Sequence, residues 1–94
     1  MSATITESSG NVFADLGFEP AEAAILEMRA RLMSDLREYI KASRMTPAQA
    51  AKKLKIGRTR LSGLMRGSCE EFSLEMLITL AARIGCKVRL ELAA

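Results

Sequence analysis

The side chains best equipped for chemistry in this sequence are guanidinium and hydroxyl groups within one short stretch. They are Arg58, Thr59, Arg60 and Ser62, and Gly63 follows them directly. An arginine can donate two hydrogen bonds to the O6 and N7 atoms of guanine, and serine and threonine hydroxyls can reach bases or phosphates. A glycine on the same face lets a helix approach the floor of a groove closely. These five residues therefore predict readout of base edges in the major groove of duplex DNA.

Basic side chains extend on both sides of this base-reading set, while acidic side chains are missing from the region. Residues 39–69 contain eight Lys and Arg and no Asp or Glu, although the whole chain has 14 basic and 11 acidic residues. A surface with this charge distribution attracts a polyanion. The residues from which we expect sequence-independent contacts to DNA phosphates are Lys41, Arg44, Thr46, Lys52, Lys53, Lys55 and Arg66.

Other chemistry is poorly supported, because the chain has no histidine and only two cysteines, Cys69 and Cys86. A structural zinc site usually needs four Cys or His ligands, and histidine is the commonest general acid or base. We therefore expect no metal, no cofactor and no enzymatic activity, and we expect both thiols to be reduced and partly buried. The adjacent carboxylates Glu70 and Glu71 are expected to lie in a loop and to keep that end of the protein away from the DNA backbone.

Two short helices are predicted to carry the base-reading set. Thr46 and Pro47 are a typical N-cap and first helical residue, and the helix that they start runs to about Leu54. Residues 55–57 form a turn, and a second helix occupies residues 58–66 before a glycine ends it. Two short helices with such a turn between them are the pattern of a helix-turn-helix.

The apolar residues in this segment fit the same motif. Ala50 and Ala51 are small where the two helices must cross at a steep angle. Leu61, Leu64 and Met65 are spaced to hold the second helix against the core, which turns the base-reading set outward. We therefore predict a helix-turn-helix motif over residues 46–67.

The rest of the chain is predicted to form one mainly α-helical domain over residues 11–94, after a flexible tail at residues 1–10. A short helix is expected at residues 11–17, a long scaffold helix at 21–43 and a last helix at 74–84. The long helix carries apolar residues at three- and four-residue steps, which predict one buried stripe. The residues of this stripe are Ile25, Met28, Leu32, Leu36, Tyr39 and Ile40.

The hydrophobic period changes near the C-terminus. Apolar and charged residues alternate from Lys87 to Leu92, which predicts a β-strand over residues 86–92. A lone strand leaves backbone hydrogen-bonding groups unpaired, so it must pair with the N-terminal segment, with another protein or with a copy of itself. We favour a homodimer, with dimer contacts from Val88, Leu90 and Leu92.

Nothing in the sequence predicts a membrane or export segment. No apolar run approaches the ~18 residues of a membrane span, and Met1–Glu7 lacks the basic start and apolar stretch of a signal peptide. We therefore expect the protein to act in the cytoplasm.

Residues 45–67 resemble the helix-turn-helix of the lambda-repressor/Cro (XRE) superfamily. The segment Gly-Asn-Val-Phe-Ala-Asp-Leu-Gly at residues 10–17, the end of the motif at Arg66-Gly67 and the segment Phe-Ser-Leu-Glu at residues 72–75 are similar to HigA-like antitoxin regulators. The resemblance implies a lambda-repressor-like bundle of about five helices with a short C-terminal β-strand. It also implies a two-fold dimer on an inverted-repeat operator, with half-sites about one helical turn apart.

For function, the resemblance implies a sequence-specific DNA-binding transcriptional regulator that represses its own operon as the antitoxin of a type II toxin-antitoxin system. A RelE/HigB-like toxin would then be its partner. Two other functions stay open: a stand-alone or phage-type repressor without a toxin, and a protein-interaction module that does not bind DNA.

Three residues depart from the superfamily pattern. Pro47 stands where the superfamily often has a glutamine that supports base and phosphate contacts, so we expect that contact to be absent. Lys55 replaces the usual turn glycine, although a non-glycine residue at positive φ is uncommon. Gly57 replaces a frequent serine cap, at a cost of a few tenths of a kcal/mol.

Overall fold

The computed structural model describes residues 15–89 and 91–92. This part of the chain contains four α-helices and one 3-10 helix: α1 (Pro20–Ala42), α2 (Pro47–Leu54), α3 (Arg58–Arg66), the 3-10 helix Cys69–Glu71 and α4 (Leu74–Arg83). None of these helices is long and apolar enough to cross a membrane. The fifth predicted helix, at residues 11–17, lies outside the described residues except for its last three positions, and the tail expected at residues 1–10 lies outside them entirely.

Local signals in the sequence explain where the helices begin and end. Pro20 and Pro47 stand at helix starts, where the fixed φ of proline suits the first helical position. Ser73 caps α4, because its Oγ accepts a hydrogen bond from the backbone N–H of Met76 at 3.1 Å. Gly67 ends α3 with a φ of 83°, a left-handed conformation that glycine adopts at no steric cost.

The long helix α1 buries only part of the stripe that the sequence predicts, and Leu32 of that stripe is half-buried against the core. Three members of the predicted buried stripe are exposed: Ile25, Met28 and Tyr39, at 50%, 42% and 44%. Leu36 and Ile40 are buried as expected, and Met33, which lies beside the stripe, is 1% exposed. Because α1 is apolar over more than one row, periodicity alone does not decide which row faces the core. Packing against α3, α4 and the 3-10 helix selects the row that contains Met33.

The core lies where α1 meets the shorter helices. Its largest fully buried side chains are Phe72, Met33, Leu54, Leu64, Leu77 and Leu80. α2 packs against α3 and α4, and α1 packs against α3, α4 and the 3-10 helix. Burial of one such side chain contributes about 1.5–3 kcal/mol. The two helices of the predicted DNA-binding motif are therefore fixed to the scaffold along their inner sides.

The β-strand predicted at residues 86–92 is not found in the described part of that segment, where residues 86–89 and 91–92 have no strand pairing. Val88 packs half-buried against the core of its own chain, and Leu92 is fully exposed. Leu90 lies outside the described residues. A ladder needs a second backbone segment alongside it, and none is found among the described residues, so the alternation serves to place one side chain on the core.

The two cysteines are not joined to each other. Cys69 and Cys86 are free and half-buried, so their partial burial is as expected, and their reduced state stays a prediction. The Sγ of Cys69 lies 3.9 Å from the Sδ of Met33, at the edge of the core.

Candidate nucleic-acid interface

α2 and α3 form the predicted helix-turn-helix. The two helices pack against each other, and their buried residues are Ala50, Ala51 and Leu54 on α2 and Leu61, Gly63 and Leu64 on α3. Apart from Gly63, these residues are predicted at the inner side of the motif, and Met65, which is also predicted there, is half-buried against the core. The charged and hydroxyl side chains of both helices are exposed.

The turn between the two helices is made by a lysine in the left-handed conformation. Lys55 has φ 60° and ψ 45°. The N–H of Ile56 donates to the carbonyl of Ala51 at 3.1 Å, and the N–H of Lys55 donates to the carbonyl of Lys52 at 3.2 Å. These bonds satisfy two carbonyls that the end of a helix leaves without partners. The turn therefore adopts the conformation that glycine favours, although a lysine occupies it.

A side chain of α4 fastens the same turn. The guanidinium Nη1 of Arg83 donates a hydrogen bond to the carbonyl oxygen of Leu54 at 2.9 Å. This carbonyl belongs to the last residue of α2, and a cation beside it also complements the negative end of the helix dipole. Sequence reasoning does not assign a role to Arg83, because the contact joins residues 29 positions apart and leaves no local signal.

The outward side of α3 brings together four of the predicted contact residues. Arg58, Ser62 and Arg66 follow one another at four-residue steps, and Thr59 lies about 100° around the helix from Arg58, since successive residues turn by about 100°. All four are exposed. The N-cap Gly57 makes no side-chain cap hydrogen bond, so backbone N–H groups at the start of α3 remain available to an anion.

Arg60 leaves α3 on a different flank from Arg58. Its guanidinium carbon lies 5.5 Å from the centre of the Phe72 ring, a cation–π contact. Phe72 is 1% exposed and directly follows the 3-10 helix. Arg60 is therefore an exposed residue whose guanidinium group is supported by a ring that is anchored in the core.

Gly63 is buried, although the sequence predicts an exposed residue here, and its role in base reading stays a prediction. A Cβ atom at this position would lie 2.6 Å from the Oε1 of Glu71 and 3.7 Å from the Cε1 of Phe72. The chain turns back after α3, and the side chains of Glu71 and Phe72 lie over this part of the helix. A close approach of the Gly63 backbone to a groove floor would therefore require the Glu71 side chain to move. The carboxylate of Glu71, expected only in a loop, instead lies against α3.

All residues predicted to contact phosphates are exposed: Lys41, Arg44, Thr46, Lys52, Lys53, Lys55 and Arg66. Thr46 also caps α2, because its Oγ1 accepts from the N–H of Gln49 at 3.1 Å while the Oε1 of Gln49 accepts from the N–H of Thr46 at 2.9 Å. The hydroxyl proton of Thr46 is not used in this capping box, so it can still be donated to a phosphate oxygen.

An open groove of about 400 Å³ connects the end of α1 with α2 and α3. Lys41, Arg58 and Ser62 line it. Its other lining residues are apolar or small: Ile40, Met45, Pro47, Ala50, Leu61 and Met65. The structure thus brings one predicted phosphate contact and two predicted base readers to the same surface.

Sequence comparison places the chain among known domains. A family model described as a helix-turn-helix domain matches residues 12–93, a span that includes all four described α-helices and the 3-10 helix. A search of curated proteins finds no match. In helix-turn-helix regulators the second helix of the motif enters the major groove of DNA. The chain therefore belongs to this helix-turn-helix domain family, whose architecture is that of DNA-binding regulators.

Proposed function

We propose that the protein is a sequence-specific DNA-binding transcriptional repressor that works as a homodimer. The observation that carries the proposal is the outward side of α3, where Arg58, Thr59 and Ser62 are exposed while the opposite side of the helix is buried. A helix held in this way presents its polar side to the major groove. The lack of acidic residues between positions 39 and 69 reduces repulsion from the phosphates.

In this proposal α3 lies in the major groove with its N-terminus toward the base edges. Arg58, the first residue of the helix, donates two hydrogen bonds to a guanine, and the hydroxyls of Thr59 and Ser62 contact neighbouring bases or phosphates. Arg60 reaches the DNA from the flank that Phe72 supports. These groups bind and orient, and we propose no catalytic role for them, since the chain has no histidine to serve as a proton carrier.

The cations around α3 position the protein on the duplex. Lys41 lines the same groove as Arg58, and Lys52 and Lys53 are exposed on α2. Contacts from such residues to phosphates fix orientation and register but carry no sequence information. The proposal therefore separates a small set of base readers from a larger set of sequence-independent contacts.

A homodimer would let two such surfaces act together. One helix-turn-helix reads one half-site, and a two-fold dimer reads an inverted repeat whose half-sites are about one helical turn apart. The C-terminal residues are the proposed dimer contact, because Leu92 is an apolar side chain that is fully exposed and that a second chain would cover. Val88 contributes less, since it packs on its own core.

We further propose that the repressor controls its own operon as the antitoxin of a RelE/HigB-like toxin. The start of α1 supports this role, because Ile25 and Met28 are exposed there on the same helix as the exposed Glu22. An apolar surface with acidic neighbours suits a basic protein partner. A stand-alone or phage-type repressor would use the same DNA-binding residues. Co-purification of a small basic protein with the chain separates the two functions.

Selection of bound sequences from a random duplex pool, followed by measurement of the mass of the complex, tests the proposed DNA binding. We expect enrichment of an inverted repeat with half-sites about one helical turn apart, and two protein chains on each duplex. A pool that shows no enrichment would favour a protein-interaction module without DNA binding.

A further inference from the structure

Gly63 lies on the side of α3 that helical geometry directs away from the core. It is about 100° and about 200° around the helix from the core residues Leu64 and Leu61, and it follows the exposed Thr59 by one turn. Even so, Gly63 is buried. The atoms nearest to a Cβ at this position belong to the side chains of Glu71, the last residue of the 3-10 helix, and of Phe72, which follows it.

Glu71 supplies the closest of these atoms. Its Oε1 lies 2.6 Å and its Cδ lies 3.6 Å from the position that a Cβ of residue 63 would take. The carboxylate therefore occupies the space that a side chain at position 63 would fill. Glu71 is itself exposed, and no hydrogen bond or ion pair to another described residue holds its carboxylate.

We infer that Glu71 is a specificity-determining residue that reads cytosine from the side of α3. The inference rests on the proposed function, which places α3 in the major groove. An ionised carboxylate only accepts hydrogen bonds. The N4 amino group of cytosine is the donor that a G·C pair presents in the major groove, whereas guanine presents two acceptors there. Glu71 accepts a hydrogen bond from cytosine and is repelled by guanine at the same place.

Adenine is the weaker partner for this carboxylate. Its N6 amino donor stands beside the N7 acceptor, a pair that suits the amide of asparagine or glutamine. The inference also explains the glycine at position 63, because any side chain there would take the space of the Glu71 carboxylate. It explains as well why one acidic residue is packed against an otherwise basic helix.

The substitution Glu71→Gln tests this role, since it keeps the shape of the side chain and replaces the acceptor-only group. Affinity is measured for the selected operator and for duplexes that differ from it at one base pair. The wild-type protein is expected to prefer cytosine at one position of each half-site by about 5-fold to about 150-fold. E71Q is expected to lose this preference and to favour adenine at that position. The matched control, Glu70→Gln, removes the same charge one residue earlier and is expected to retain the preference for cytosine.

The substitution Gly63→Ala tests the contact between α3 and the Glu71 carboxylate by changing the residue on the helix. The new methyl group displaces the flexible end of Glu71, while its distance of 3.7 Å to the Cε1 of Phe72 is an ordinary contact. Because alanine favours helix more than glycine does, the melting temperature is expected to stay the same or rise. The preference for cytosine is expected to fall as in E71Q, and the double variant is expected to show no further loss.

Two results would overturn the inference. If E71Q binds every duplex more tightly by the same factor, Glu71 only repels phosphates. If E71Q has the same base preferences as the wild type, Glu71 lies outside the DNA contact. Both results leave the proposed function intact, because the selected operator is still bound. A wild-type protein that binds no duplex at low salt refutes the proposed function, and the inference fails with it.

Discussion

Arg58 and Lys52 are both exposed cations of the helix-turn-helix, but their proposed roles differ. Arg58→Ala is expected to cost about 1–3 kcal/mol of binding free energy and to relax the preference for guanine at one position. Lys52→Ala is expected to weaken binding to all duplexes alike. It is also expected to reduce the steepness of log K against log salt concentration by about 1. Fluorescence anisotropy titrations with the selected operator and its single-base variants measure both effects. Equal losses on every duplex for both variants would contradict the division between readers and positioning residues.

Lys55 holds a strained backbone conformation at the turn, with φ 60° and ψ 45°. This conformation costs a non-glycine residue about 1–2 kcal/mol. Replacement by glycine removes this strain, but part of the gain in stability is lost because glycine has more conformational freedom in the unfolded chain. Lys55→Gly is therefore expected to raise the free energy of unfolding by about 0.5–1 kcal/mol, measured by urea denaturation. The control Lys53→Gly lies within α2 and is expected to lower it by about 1 kcal/mol. A decrease of similar size in both variants would show that Lys55 is not strained.

A side chain of α4 contacts the end of α2 and supports the turn of the helix-turn-helix. Arg83→Met removes the hydrogen bond to the carbonyl of Leu54 and is expected to lower the free energy of unfolding by about 1 kcal/mol. Amide hydrogen exchange at Ile56 is expected to become faster, because the turn loses its support. The exposed Arg89 offers a matched control, and Arg89→Met is expected to change neither quantity. Unchanged exchange at the turn in the Arg83 variant would show that α4 does not position the motif.

The bounds of the elements were predictable because their signals are local. The helices expected at residues 21–43 and 74–84 differ from α1 and α4 by a single residue at each shifted end, since caps and prolines act within one turn. The rotation of α1, which exposes Ile25, depends on packing against three other elements. The cover that Glu71 places over Gly63 depends on how the chain returns after α3. Neither the packing of α1 nor the contact between Glu71 and Gly63 has a local signal in the sequence. The packing of Val88 on the core has none either, because its alternating pattern predicted a strand.

On the scale of the whole molecule, charge is divided between two parts of the chain. Residues 39–69 carry eight basic and no acidic residues, and the remaining residues carry six basic and eleven acidic ones. The basic part contains α2, α3 and the end of α1, which form the proposed DNA-binding surface. The acidic remainder disfavours contact with DNA in other orientations. A long-range attraction of this kind must weaken as salt is added.

The salt dependence of the affinity for the selected operator tests the proposed binding of duplex DNA by the outward side of α3. A protein that makes six to ten phosphate contacts is expected to lose about 10³-fold to about 10⁵-fold in affinity between ~50 and ~200 mM salt. We expect a loss in this range for the wild type, with the operator still preferred over other duplexes. No measurable binding at ~50 mM salt, or an affinity that does not change with salt, would contradict the proposed binding.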